Sequence, residues 1–204
     1  MKLTNLFKNE VSGPLKEIIF QGLASDSRQV TPGDLFVAVS CDEIVSHVIS
    51  ALEKGAAAVV IESAVLEQNH SRLPKACYIP VQNPRQSLSE LAQKFYPGQP
   101  QIIAAITGTN GKSSVATFVR QIWELLGKQA ASFGTVGLET ANKKIIENLP
   151  LPRLTTPDAV SLHQLLQGLA EANINHFVFE ASSHGLDQYR LHGARVTVAG
   201  FTKD

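Results

Sequence analysis

Two hundred and four residues leave room for one large or two small domains. Hydrophobic residues make up 44% and charged residues 18%, enough apolar material for a core and too much for a disordered chain. Eighteen Lys and Arg balance eighteen Asp and Glu, so the basic excess of a nucleic-acid-binding protein is missing.

Two cysteines, Cys41 and Cys77, cannot build a disulfide framework and fit a reducing compartment. No apolar run approaches the ~18 residues of a spanning helix, and residues 1–10 lack the apolar core of a secretion signal. The expectation is a soluble cytoplasmic protein with neither nucleic acid nor membrane as partner.

Residues 35–39 are short, apolar and β-rich, and follow the turn Pro32-Gly33-Asp34, so they read as a buried strand. Val45, Val48, Ile49 and Leu52 then recur at helical spacing, and Gly55 stands where a helix would end. Residues 57–61 and 77–81 read as further strands. Asn83-Pro84 is a cap followed by proline at a first helical position, and Leu88, Leu91, Ala92 and Phe95 give that helix its stripe. Tyr96-Pro97-Gly98-Gln99-Pro100 interrupts the pattern as a linker, here bounded at 97–101.

A second unit follows over 102–204. Residues 102–106 form a strand and 112–126 a helix, with Val115, Phe118, Val119, Ile122 and Leu126 expected inward and Trp123 as helix packing. Residues 130–133 read as a strand and 137–149 as a hairpin. Thr156-Pro157-Asp158 opens a helix with Thr156 as its cap and Leu162, Leu165, Leu166 and Leu169 on its face. A strand at 177–179, a short helix at 185–191 and a strand at 196–201 complete the order. Strands alternating with helices predict an α/β fold: a small N-terminal α/β domain over 1–96, then an incomplete phosphate-loop domain with a mostly parallel sheet.

The strand at 102–106 leads into Thr107-Gly108-Thr109-Asn110-Gly111-Lys112-Ser113-Ser114 and a helix. Glycines let backbone N–H groups close around an anion, and the helix N-terminus adds unpaired donors and partial positive charge. Lys112 is placed to reach terminal phosphates, and the Ser113 hydroxyl to join a Mg²⁺ shell. The usual pattern has glycine five residues before Gly111; that position is Ile106. Glu180 ends a strand at the carboxyl edge of the sheet, where open α/β sheets bind ligands, and suits a Mg²⁺ ligand opposite Ser113. His184 follows two serines, but no Gly-x-Ser-x-Gly elbow accompanies them, so a serine nucleophile is rejected.

The loop resembles that of the Mur ligases, ATP-dependent amide-forming enzymes of peptidoglycan precursor synthesis. Three further segments share the resemblance: Asp26-Ser27-Arg28 with Pro32-Gly33-Asp34-Leu35-Phe36-Val37-Ala38, then Leu154-Thr155-Thr156-Pro157-Asp158, then Glu180-Ala181-Ser182-Ser183-His184-Gly185-Leu186. Their order resembles the branch that adds the third residue, diaminopimelate or lysine, to UDP-N-acetylmuramoyl-L-alanyl-D-glutamate.

The resemblance implies ATP and Mg²⁺ as cofactors and a UDP-N-acetylmuramoyl-dipeptide as substrate. It implies that Gly108, Thr109, Asn110, Gly111, Lys112, Ser113 and Ser114 cradle the nucleotide, with Lys112 and Glu180 catalytic and Ser113 and Glu180 on the metal. Ser25 and Ser27 are implied at the uridine end, and Thr155, Thr156, Ser182, Gln188 and Arg190 at the rest of the substrate. The segment 40–46 departs from the family by carrying Asp42 and Glu43 where a diphosphate is to be met, and His47 beside it reads as a surface helix residue. Family members continue into a second metal-ligand histidine, a carbamoylated lysine and a third domain, so a truncated chain, inactive alone and needing a C-terminal half, is expected. Two other readings stay open here: a non-catalytic nucleotide-binding module, and an unrelated phosphate-loop NTPase.

Overall fold

The computed structural model describes residues 19–39, 41–145, 147, 149 and 156–203. Ser40, Thr155 and residues 1–10, all named above, lie outside the described residues. The chain divides into two compact units, one ending at Phe95 and the other beginning at Tyr96.

The first unit runs β1 (Leu23–Ala24), β2 (Leu35–Val37), α1 (Ile44–Glu53), β3 (Ala58–Glu62), α2 (Ser63–Asn69), β4 (Tyr78–Val81) and α3 (Pro84–Phe95). Its four strands lie in the order β1-β2-β3-β4, every pair parallel. Val59, Val60 and Ile61 are fully buried, which is why this stretch is an unbroken apolar run: helices cover a parallel sheet on both faces. The buried face of α1 is Ile44, Val48 and Ala51, with Val45 and Leu52 at its margin and Ile49 turned toward the surface. Asn83 caps α3 as expected, its Oδ1 accepting from the Arg85 and Gln86 amides at 3.1 and 3.2 Å. β1 and α2 were not foreseen. Two residues show no period, and α2 buries no side chain completely.

The second unit runs β5 (Ile102–Gly108), α4 (Lys112–Leu125), β6 (Ala130–Gly134), β7 (Gly137–Glu139), α5 (Ala159–Glu171), β8 (His176–Glu180), α6 (Ser183–Asp187) and β9 (Val198–Thr202). The strand order is β7-β6-β8-β5-β9, with β7 antiparallel and the rest parallel. One face packs Ile103, Ala105, Phe177 and Phe179 against Leu162, Leu165, Leu166 and Leu169 of α5. All four leucines are fully buried, each contributing ~2 kcal/mol by area removed from water. The other face packs Ala104, Ile106 and Val178 against Ala116 of α4, flanked by Val115, Val119 and Trp123.

Three expectations are corrected. Phe118, Ile122 and Leu126 are 59%, 55% and 67% exposed, so the inward stripe of α4 lies one position round the helix. The hairpin is β6–β7, turning at Thr135-Val136 between Gly134 and Gly137, and the described residues of 137–149 form β7 and a 3₁₀ turn, Lys143–Ile145. α5 is capped by Asp158, whose Oδ1 accepts from the Val160 and Ser161 amides at 3.0 and 3.1 Å. Thr156, expected as that cap, is used elsewhere. The segment 97–100 packs on the second unit: the Gln99 amide donates to the Gly193 carbonyl at 2.9 Å and its oxygen accepts from the Arg195 amide at 2.9 Å.

Candidate functional site

β5 ends at Gly108, and the chain must turn there while β9 lies alongside. Gly108 has φ +132, and a Cβ on it would run into the Thr202 carbonyl, so both conformation and space demand glycine. Gly111, at φ +79, is the residue before α4, and no side chain caps the helix. A glycine at the cap position offers the first-turn amides no side-chain acceptor of its own, the arrangement that attracts an anion. Thr109, Asn110 and Gly111 are exposed, and Lys112 and Ser113 are half-buried at the helix start. The Lys112 ammonium folds back over the turn and donates to the carbonyls of Gly108 at 2.8 Å and Thr109 at 3.2 Å. Ser114 is exposed on the first turn.

Glu180, the last residue of β8, is 2% exposed. It lies in register with Ile106, two residues beyond Val178, and so projects to the sheet face that α4 covers. Its two carboxylate oxygens are held by one residue. The Thr135 amide donates to Oε1 at 2.9 Å, and the Thr135 hydroxyl donates to Oε2 at 3.2 Å. Gly134 makes room for this, because a Cβ there would collide with the carboxylate.

Four expected substrate residues gather beside Glu180. The Thr156 hydroxyl donates to the Glu180 carbonyl at 3.2 Å and lies 2.9 Å from the Ser182 hydroxyl. Ser182 accepts from the Gly185 amide at 3.0 Å and so caps α6, which explains why that helix starts before Gly185. Arg190 donates to the Thr156 carbonyl at 2.9 Å and, through Nε and Nη2, to Gln188 Oε1 at 3.0 and 2.7 Å. Polar side chains from three loops thus meet beside the end of β8. Sequence reasoning missed Thr135; its signal was the Gly134-Thr135-Val136-Gly137 turn, two residues between glycines after a strand.

In the first unit, Ser25 and Ser27 follow β1 at the carboxyl edge of its sheet. Ser27 is 7% exposed, and its carbonyl accepts from the Lys54 ammonium at 2.9 Å. Arg28 grips the carboxylate of Asp26 and holds its pKa down at about 2. The segment 41–46 borders a cleft of about 710 Å³ between α1 and α2, whose walls include Asp42, Glu43, Ile49 and Arg72 but neither Ser25 nor Ser27. The structure does not bring the serines and this segment into one cleft. His47 stands on α1 with its side chain 46% exposed.

Among the described residues no cluster of three His, Cys, Asp or Glu is placed to hold a metal, and no helix is long and apolar enough to cross a membrane. A hard divalent ion bound mainly by nucleotide phosphates and waters asks for less: one hydroxyl and one carboxylate. Ser113 and Glu180 are of that type, and each Glu180 oxygen keeps a lone pair beyond the one that Thr135 uses.

Fold and site together define an α/β protein with mostly parallel sheets and a glycine-shaped turn between β5 and α4. Residues 106–203 match the Mur ligase middle domain, which places this stretch of the chain in the Mur ligase family. It is 43% identical over 209 residues to the UDP-N-acetylmuramoyl-L-alanyl-D-glutamate–2,6-diaminopimelate ligase of Bradyrhizobium diazoefficiens, an alignment covering 99% of this chain and 40% of that protein. A solved structure of a ligase with that name superposes with a TM-score of 0.79 at 26% identity, over 100% of this chain and 41% of the other. The MurF ligase of Thermotoga maritima, solved in complex with ADP, shares the fold at a TM-score of 0.53 and 16% identity, over 89% of this chain and 37% of the other. The chain thus spans about 40% of the length of the relatives it matches.

Proposed function

We propose that this chain carries the nucleotide site and part of the substrate site of an ATP-dependent ligase that extends UDP-N-acetylmuramoyl-L-alanyl-D-glutamate by one amino acid in the cytoplasm. The name of its relatives favours 2,6-diaminopimelate as that amino acid. The observation that carries the reading is the uncapped, glycine-shaped turn before α4, with Lys112 folded over it and buried Glu180 on the same side of the sheet.

In this reading a substrate carboxylate attacks the γ-phosphate of ATP, ADP leaves, and the acyl phosphate is opened by the amine of the incoming amino acid with release of phosphate. The amides of 108–114 hold the phosphates, and Lys112 leaves its two carbonyl partners to neutralise charge growing on the transferred group. Mg²⁺ held by Ser113 and Glu180 would supply further charge neutralisation between the phosphates. Thr156, Ser182, Gln188 and Arg190 orient the carboxyl-bearing peptide, with Arg190 suited to a carboxylate through its paired donors. Ser25 and Ser27 hold the uridine end.

Calorimetric titration of Mg-ADP into the chain tests the reading. Lys112→Ala is expected to weaken binding at least tenfold while thermal stability is retained; equal affinity in the variant contradicts the loop assignment.

A further inference from the structure

Glu180 is a buried carboxylate whose two oxygens are both engaged by one exposed residue, Thr135, 45 positions earlier in the chain. A carboxylate at the end of a strand has several rotamers, and only a subset points it along the sheet face that α4 covers. The tight turn of the β6–β7 hairpin fixes Thr135. Gly134 pairs with Gly137 across the turn, and Gly137 takes φ +89, so the Thr135 amide and hydroxyl are presented side by side. Gly134 also leaves the carboxylate its space, since any side chain there would displace it.

From this geometry we infer that Thr135 is a positioning residue for the metal site: the hairpin turn locks the Glu180 carboxylate in the orientation that receives a nucleotide-bound divalent cation. The inference rests on the nucleotide reading above and adds to it a residue and an element that the loop sequence does not contain. Each Glu180 oxygen accepts a single hydrogen bond from Thr135, which leaves a lone pair on each for a cation or its water. The hydroxyl bond goes to a charged acceptor, the stronger class of hydrogen bond, and costs nothing at the moment of cation binding because it is already formed. A neighbouring bond from Thr156 to the Glu180 carbonyl fixes the backbone of the same residue, so both main chain and side chain are held.

Thr135→Val separates positioning from folding. Valine keeps the shape and the amide, and removes only the hydroxyl donor. Thr135→Ser restores the donor on a smaller side chain. ADP is titrated into each protein over a series of MgCl₂ concentrations, and again with a chelator and no divalent ion. The expected result is a Mg²⁺ midpoint about tenfold higher for Thr135→Val, the loss of one hydrogen bond to a charged group. Metal-free ADP affinity is expected to be unchanged, with the midpoint recovered by Thr135→Ser. An unchanged Mg²⁺ midpoint in Thr135→Val overturns the inference, as does an equal loss of ADP binding with and without Mg²⁺, which would mark a structural role alone. If the unsubstituted chain binds no Mg-ADP, the nucleotide reading itself fails and the inference falls with it.

Discussion

His163 is fully buried on α5, and its Nε2 lies 3.1 Å from the His192 carbonyl, which accepts the ring proton. Its Nδ1 is buried without a partner, so the ring is neutral, and burial outweighs the carbonyl contact to push its pKa below the ordinary 6.5. The unfolded chain then binds more protons than the folded one below that ordinary value, and folding weakens as pH falls through it. A thermal melt at about pH 5.5 is expected several degrees below one at about pH 7.5, and His163→Gln should shrink the difference. A difference of the same size in the variant assigns the effect to other groups. Residues of this kind are poorly legible in the sequence. Lys112, Ser113 and Glu180 announced themselves through spacing and position at a strand end. Thr135 did not, because the group it bonds lies 45 positions away.

At the scale of elements, α4 is the instructive case. Its sequence carries two overlapping apolar stripes, Val115-Val119-Trp123 and Phe118-Ile122-Leu125, and periodicity alone cannot choose between them. The choice is made by Ala116, small enough to let the helix sit close on Ala104, Ile106 and Val178, and by Arg120, which is 9% exposed and tied to Glu124 at 2.7 Å. Phe118 is thus a surface residue and Leu165 of α5 a core residue. In urea denaturation Phe118→Gln is expected to change stability by less than ~0.5 kcal/mol, against ~2–5 kcal/mol lost in Leu165→Ala. Comparable losses would return Phe118 to the core. α5 itself was readable from its four leucines, whereas its start was misplaced because two capping side chains, Thr156 and Asp158, compete within three residues, and it is Asp158 whose side chain accepts from the Val160 and Ser161 amides.

Over the whole molecule, the alternation of strand and helix was legible and the strand orders were not. Neither β7-β6-β8-β5-β9 nor the antiparallel turn of β7 can be read from local pattern, since pairing joins segments as far apart as β5 and β9. Yet that order creates the site. It sets β8 beside β5, so Glu180 stands one strand from the phosphate loop, and β6 beside β8, so the hairpin turn reaches Glu180 from the other side. Val198 and Phe201 of the edge strand β9 are 53% and 71% exposed, and the relatives extend well beyond the length spanned by this chain. On the reading proposed above, the turn before α4 and Glu180 together receive a nucleotide and its divalent cation.

A crystal structure of the chain grown with Mn²⁺ and ADP tests that claim most directly. The account predicts the β-phosphate seated against the amides of 109–113, the Lys112 ammonium turned from the Gly108 carbonyl toward the phosphate, and an anomalous manganese peak between Ser113 and Glu180. Nucleotide bound elsewhere, or manganese seated on the phosphates with Glu180 turned away, would contradict it.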